Sequence, residues 1–151
     1  MEYYDHLRTG LLLEPRGHAD MYGAILTASQ DPRADLDCFF INTVGYSTMC
    51  GHATLAITKV AFETGVVKKE GVERSLTIAV PAGLVYAKAL VAGDGSVSKT
   101  IFRNVPSFVY IRDQAVAVPA LGLEEVKFDI AFGGAFYAST YASSSLSTHI
   151  R

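Results

Sequence analysis

Met49-Cys50-Gly51-His52-Ala53-Thr54-Leu55-Ala56-Ile57-Thr58-Lys59-Val60-Ala61-Phe62-Glu63-Thr64-Gly65 is the stretch whose reading decides the fold. Ala53, Ala56, Ile57, Val60 and Ala61 recur at helical spacing, with Thr58, Lys59 and Glu63 on a more polar side. Gly65 is a natural residue to stop the helix, and Val66-Val67 is expected to start an extended segment. Gly45-Tyr46-Ser47-Thr48 is a turn-prone approach, with Thr48 or Ser47 as candidate N-cap. The alanine content predicts a closely packed, buried helix.

Working outward, short strands surround it. Leu11-Leu12-Leu13 reads as a brief buried strand after a helix end or turn at His6 to Thr9, and Met21 to Ala28 as a second extended run. Leu36 to Ile41 is an apolar strand leading toward the helix, and Lys68-Lys69-Glu70-Gly71 a solvated turn. Leu76 to Val80 and Leu84 to Val91 are joined tightly by Pro81-Ala82-Gly83, and Gly93-Asp94-Gly95-Ser96 is a hairpin signal. Ile101-Phe102, Ser107 to Arg112, Val116 to Val118 and Val126 to Ile130 follow as further short strands, and Gly133-Gly134 punctuates the chain before Phe136-Tyr137. The expected fold class is α+β, a mixed, barrel-like half in which strands wrap around one central helix.

The 151 residues suffice for one domain or a piece of something larger. Half of them are hydrophobic, 19% are charged, and the mean hydropathy is +0.25. Such a greasy chain points to a partner surface or a missing second half. A net charge of −2 gives no electrostatic case for nucleic acid or an anionic membrane. No apolar run reaches the roughly 20 residues a membrane span needs. Met1 to Asp5 lacks the regions of a secretory signal, so Cys38 and Cys50 are expected to be reduced and the chain cytoplasmic. Positions 139–151 are Ser-rich and read as a tail.

Cys50 has two readings from the residues alone. It is either a small buried hydrophobe or a thiol activated by the positive end of the helix, beside unpaired N–H groups that also suit a carboxylate. Gly51 would let a ligand approach the backbone, and His52 could hydrogen-bond that ligand or the thiolate. Cys38, beside Phe39 and Phe40, reads as core. The run from Glu14 to Gly23 gathers charge, imidazole and glycines, a cluster costly to bury without a purpose. Neither metal nor nucleotide cofactor is expected, since Cys-x-x-Cys, His-x-x-x-His, Gly-x-Gly-x-x-Gly and Walker patterns are absent.

Six blocks carry a resemblance: LLEPRGHADMYG from Leu12 to Gly23, GYSTMCGH from Gly45 to His52, ETGVV from Glu63 to Val67, PAGLV from Pro81 to Val85, NVPSF from Asn104 to Phe108, and FDIAFGGAFYA from Phe128 to Ala138. In this order the chain resembles the proline racemase family, which includes 4-hydroxyproline epimerases and trans-3-hydroxy-L-proline dehydratases. The resemblance implies a proline racemase and diaminopimelate epimerase-like fold of two similar halves, with the active site between them and no cofactor. It makes positions 1–138 a partial N-terminal domain. It implies a small substrate of the proline or hydroxyproline type, with Cys50 as the base that removes its α-proton. Gly51 and His52 would help hold the substrate, and Tyr22 and Phe40 would pack its ring.

The family's early His-Thr segment and its second half are not in this sequence, and the tail leaves the family pattern. The chain alone is therefore expected to be inactive and prone to associate, as a homodimer or with a missing C-terminal half. A truncated binding fragment is the alternative of another class. Racemases use a second cysteine where the dehydratases carry threonine, and that position lies outside the chain. Tyr22, Ser47-Thr48 and Ala135 look more like the dehydratases, whereas Leu7-Arg8-Thr9 and Val126 to Asp129 look as much like bacterial proline racemases. The 4-hydroxyproline epimerases fit less well. The reading leans to the dehydratase.

Overall fold

The computed structural model describes residues 2–140, so the tail expected from Ser139 lies almost wholly outside the described residues. The chain divides into two compact units, Met1–Val105 and Pro106–Arg151. The first holds α1 (Asp5–Leu12), β1 (Tyr22–Thr27), β2 (Leu36–Asn42), β3 (Tyr46–Ser47), α2 (Gly51–Glu63), β4 (Glu73–Val80), β5 (Gly83–Val91) and β6 (Val97–Arg103). The second holds β7 (Phe108–Val118), β8 (Leu123–Phe132) and β9 (Phe136–Ser139).

In the first unit the strands form one mixed sheet in the order β1-β2-β4-β5-β6, with β3 also on β2. All pairs are antiparallel except β2 with β4. A parallel pair needs a crossover, and α2 is contained in it. β1 runs along β2 from Asp37 to Asn42, so β4 and β3 divide the other edge: β4 takes Leu36 and Asp37, and β3 takes Phe40 and Ile41. The chain enters α2 from β3, at this fork. An Ala82 N–H to Thr48 carbonyl bond of 3.2 Å ties the fork to the β4–β5 turn.

α2 packs on β5 and β6. At its end, Lys59 Nζ donates to the Val97 carbonyl (2.8 Å), and Glu63 Oε1 accepts from the Val97 N–H (2.8 Å). At its start, Gly51 lies against Phe102. The helix therefore runs antiparallel to β6, held at both ends. Gly65, with φ of +73°, follows the C-cap Thr64 and ends α2 as expected.

The buried face of α2 is Thr54, Ile57, Thr58, Ala61 and Phe62, rather than the alanine-centred stripe read from the sequence. Thr58 is fully buried and Val60 is 48% exposed. Each buried hydroxyl donates to the carbonyl four residues back: Thr54 Oγ1 to Cys50 at 2.8 Å and Thr58 Oγ1 to Thr54 at 2.7 Å. A threonine bonded in this way can face the core without an orphaned polar atom. The helix is half-buried rather than enclosed.

Other expectations need correction. Leu11-Leu12-Leu13 is not a buried strand: α1 runs through Leu12, and Leu11 and Leu13 are exposed. What holds the helix is Arg8, whose buried guanidinium pairs with both oxygens of Asp5 and donates to the Asn42 and Thr43 carbonyls (2.8 and 3.0 Å). That pairing keeps the Asp5 carboxyl below its ordinary pKa. Val66-Val67 begins no strand, and β4 starts only at Glu73. Lys69, placed in a solvated turn, reaches Asp35 at 2.7 Å and the Ser75 carbonyl at 2.9 Å. β5 and the turns on either side of it lie where the sequence puts them, while β4 starts at Glu73 rather than Leu76 and β6 spans Val97–Arg103 rather than Ile101-Phe102 alone.

The second unit is an antiparallel meander, β7-β8-β9. The two strands expected at Ser107 to Arg112 and Val116 to Val118 are one, β7, whose register shifts around Asp113. Asp113 adopts φ of +55°, and its N–H donates to Asp129 Oδ1 at 2.9 Å. A bulge absorbs the irregularity that reads as a break in sequence. Phe108, Phe132 and Phe136 form a cross-strand row, with Tyr110 edge-on to Phe136.

The loop that delivers Tyr22 to β1 makes a close backbone approach: a Cβ on Gly17 would lie 1.9 Å from the Leu12 carbonyl oxygen. Gly17→Ala must displace that backbone. We expect it to destabilise the chain by more than about 2 kcal/mol in urea unfolding, whereas Gly10→Ala, with open space around it, should cost none of this.

Candidate active site

Cys50 is the N-cap of α2, in extended conformation (φ −144°, ψ 114°), so neither Ser47 nor Thr48 plays that part. Ser47 Oγ instead donates to the Met49 carbonyl at 2.9 Å. The Cys50 side chain makes no capping bond. Its carbonyl accepts the first helical bond, from the Thr54 N–H at 3.0 Å, which leaves the Gly51, His52 and Ala53 N–H groups at the positive end of the helix.

Cys50 is 7% exposed, and its Sγ lies 3.3 Å from His52 Nδ1 and 3.6 Å from Nε2. Which ring nitrogen carries the proton depends on the tautomer. The His52 ring packs against Tyr22, with centroids 5.4 Å apart and the planes tilted by 59°. Two strands and a helix thus contribute to one arrangement. β1 opens on Tyr22, paired in register with Asn42 of β2, and the β2–β3 turn leads the chain to Cys50.

Of the residues expected in a site, the structure brings Tyr22, Cys50, Gly51 and His52 together. Phe40 is placed differently. It is 0% exposed, on the buried side of β2 with Leu36 and Cys38, and presents no surface to a ligand. Gly51 has a packing role beside the one expected of it. A Cβ there would come 3.2 Å from the Phe102 ring, so the missing side chain lets helix and β6 close together. The charged cluster between Glu14 and Asp20 is not buried; its charged side chains are exposed, with Arg16 on the Gly10 carbonyl and His18 Nδ1 accepting from the Asp20 N–H. Sequence reasoning missed Thr54 and Phe102. A Thr four residues after the cysteine is the signal for the first; a strand partner for Gly51 has no local signal.

Cys38 is a buried free thiol, pushed up to about 12 by burial and then by the charge of Cys50. Among the described residues no group of three or more His, Cys, Asp or Glu gathers as a metal site would require, and no helix is long and apolar enough to cross a membrane.

The family described as Proline racemase matches residues 1–150, past the change of texture at Ser139. The chain is 50% identical over 141 residues to the trans-3-hydroxy-L-proline dehydratase of Colwellia psychrerythraea, covering 93% of this chain and 39% of that protein. It is 41% identical over 138 residues to the proline racemase of Acetoanaerobium sticklandii, covering 91% of this chain and 41% of that protein. The crystal structure of a hydroxyproline epimerase from Agrobacterium vitis, with bound trans-4-hydroxy-L-proline, superposes with a TM-score of 0.84 at 30% identity, over 95% of this chain and 41% of that one. The chain thus spans about two fifths of the length of these relatives.

The raised Cys38 pKa carries a sign. The unfolded thiol ionises near its ordinary value of 9.0, whereas the folded one stays protonated until about 12. Above pH 9 the unfolded state binds fewer protons, so this contribution to stability falls as pH rises toward 12. Urea unfolding should lose stability over that window more steeply in the parent than in Cys38→Ala. Equal slopes would show that Cys38 ionises alike in both states.

Proposed function

We propose that this chain, which belongs to the proline racemase family, carries the proton-abstracting thiol of a trans-3-hydroxy-L-proline dehydratase. The observation that carries this reading is the contact of Cys50 Sγ with His52 Nδ1, 3.3 Å, at the N-terminus of α2. The 50% identity to the Colwellia psychrerythraea dehydratase, against 41% to the Acetoanaerobium sticklandii racemase, favours the dehydratase.

The α-proton of an imino acid is a very weak acid, so a thiolate alone removes it slowly. The proton becomes accessible when negative charge spreading onto the carboxylate meets fixed donors. The Gly51, His52 and Ala53 N–H groups supply such donors, and the helix dipole favours both that carboxylate and the thiolate. Tyr22 packs against the His52 ring and offers an aromatic surface next to it. The Cys50 thiolate takes the Cα proton, and the electron pair left on Cα forms a double bond to C3 as the 3-hydroxyl departs. Net, the proton and the hydroxyl leave as water, and the enamine tautomerises to Δ1-pyrroline-2-carboxylate.

A racemase would instead return a proton to the opposite face from a second thiol, which the 41% identity to a racemase keeps as the second reading. Either way these residues form one wall of a site in a chain that spans about two fifths of its relatives' length. We expect the 151-residue chain by itself to show no turnover.

The test uses the chain joined to the remaining three fifths of the Colwellia psychrerythraea dehydratase. With trans-3-hydroxy-L-proline it should form Δ1-pyrroline-2-carboxylate, and Cys50→Ser should cut the rate by about a thousandfold or more without unfolding the protein. Racemisation of proline with no dehydration would move the assignment to the racemase. Undiminished dehydration in Cys50→Ser would remove Cys50 from the chemistry.

A further inference from the structure

Cys50 occupies an N-cap with a side chain unsuited to capping. Ser, Thr, Asp and Asn hold that position by accepting a bond from the first turn of the helix. Cys50 makes no such bond, and its sulfur is turned to His52 instead. Something else must hold the residue in its extended conformation.

Thr54 does so from one turn below. Its N–H (3.0 Å) and its hydroxyl (2.8 Å) both donate to the Cys50 carbonyl. The Thr54 side chain is 0% exposed, so no water can take the hydroxyl's place. Two bonds to one oxygen restrain the peptide plane after Cys50, and with it the backbone from which the side chain projects. They also orient the Gly51 N–H, which belongs to that same peptide.

Resting on the reading of Cys50 as the reacting thiol, we infer that Thr54 is a positioning residue, whose buried hydroxyl holds the Cys50 carbonyl and thereby aims Sγ at His52. Thr58 is a built-in control. It is equally buried and makes the same bond, 2.7 Å to the Thr54 carbonyl, but one turn further from the sulfur.

The experiment measures carbamidomethylation of Cys50 by iodoacetamide, followed by mass spectrometry, in the 151-residue chain and three variants. Thr54→Val keeps the shape and removes the hydroxyl; Thr54→Ser keeps the hydroxyl; Thr58→Val removes the equivalent bond next door. Thr54→Val should slow Cys50 about three- to tenfold, the range one hydrogen bond supplies. Thr54→Ser should stay within about twofold of the parent, and Thr58→Val should leave the rate unchanged while lowering Tm about as much as Thr54→Val does. An unchanged rate in Thr54→Val, or equal slowing by Thr58→Val, overturns the inference. The parent's rate relative to a free thiol tests separately whether Cys50 is activated at all, so failure of the functional reading is distinguishable from failure of this one.

Discussion

The fixed start of α2 is the constraint on which the site depends. β2 is paired along one edge by β1, and its other edge is divided between β4 and β3. The chain leaves β3 at that division and turns at once into the helix, so the helix N-terminus has one place to be. Gly51 against Phe102 and Glu63 on Val97 then hold the two ends of α2 against β6. A thiol placed at the N-cap of such a helix inherits a fixed position, a dipole and three backbone donors without any dedicated loop.

The same economy explains why α2 carries polar residues into the core. Thr54 and Thr58 face the core beside Ile57, Ala61 and Phe62 while bonding their hydroxyls to the helix's own carbonyls. Tyr22 arrives through a different route, by way of the Gly17 turn and the first pairing of β1. Arg8 holds the β2–β3 turn from outside, so α1 contributes to the placement of Cys50 at a distance. Stability and site geometry are coupled through these few contacts.

Much of this was legible in sequence. The helix, its glycine stop, β5 and the turns on either side of it follow from local signals that tertiary contacts do not override. Leu11 to Leu13 mislead because three consecutive leucines carry no period, and the Arg8 clamp that anchors α1 joins residues 34 and 35 positions apart. The buried face of α2 was misjudged because threonine reads as polar until its hydroxyl finds a backbone acceptor. Cys50, His52 and Tyr22, expected in one site, lie together in space. Phe40 was assigned a ligand contact, but strand alternation puts it in the core.

The central claim is that the start of α2 receives a planar carboxylate beside a reactive thiol. Pyrrole-2-carboxylate mimics the deprotonated substrate, and its binding can be followed in amide proton–nitrogen spectra of the isolated chain. The account predicts saturable shifts centred on Gly51, His52 and Ala53, whose N–H groups stand at the start of the helix. Shifts confined to other parts of the sheet, or none at millimolar ligand, would contradict it.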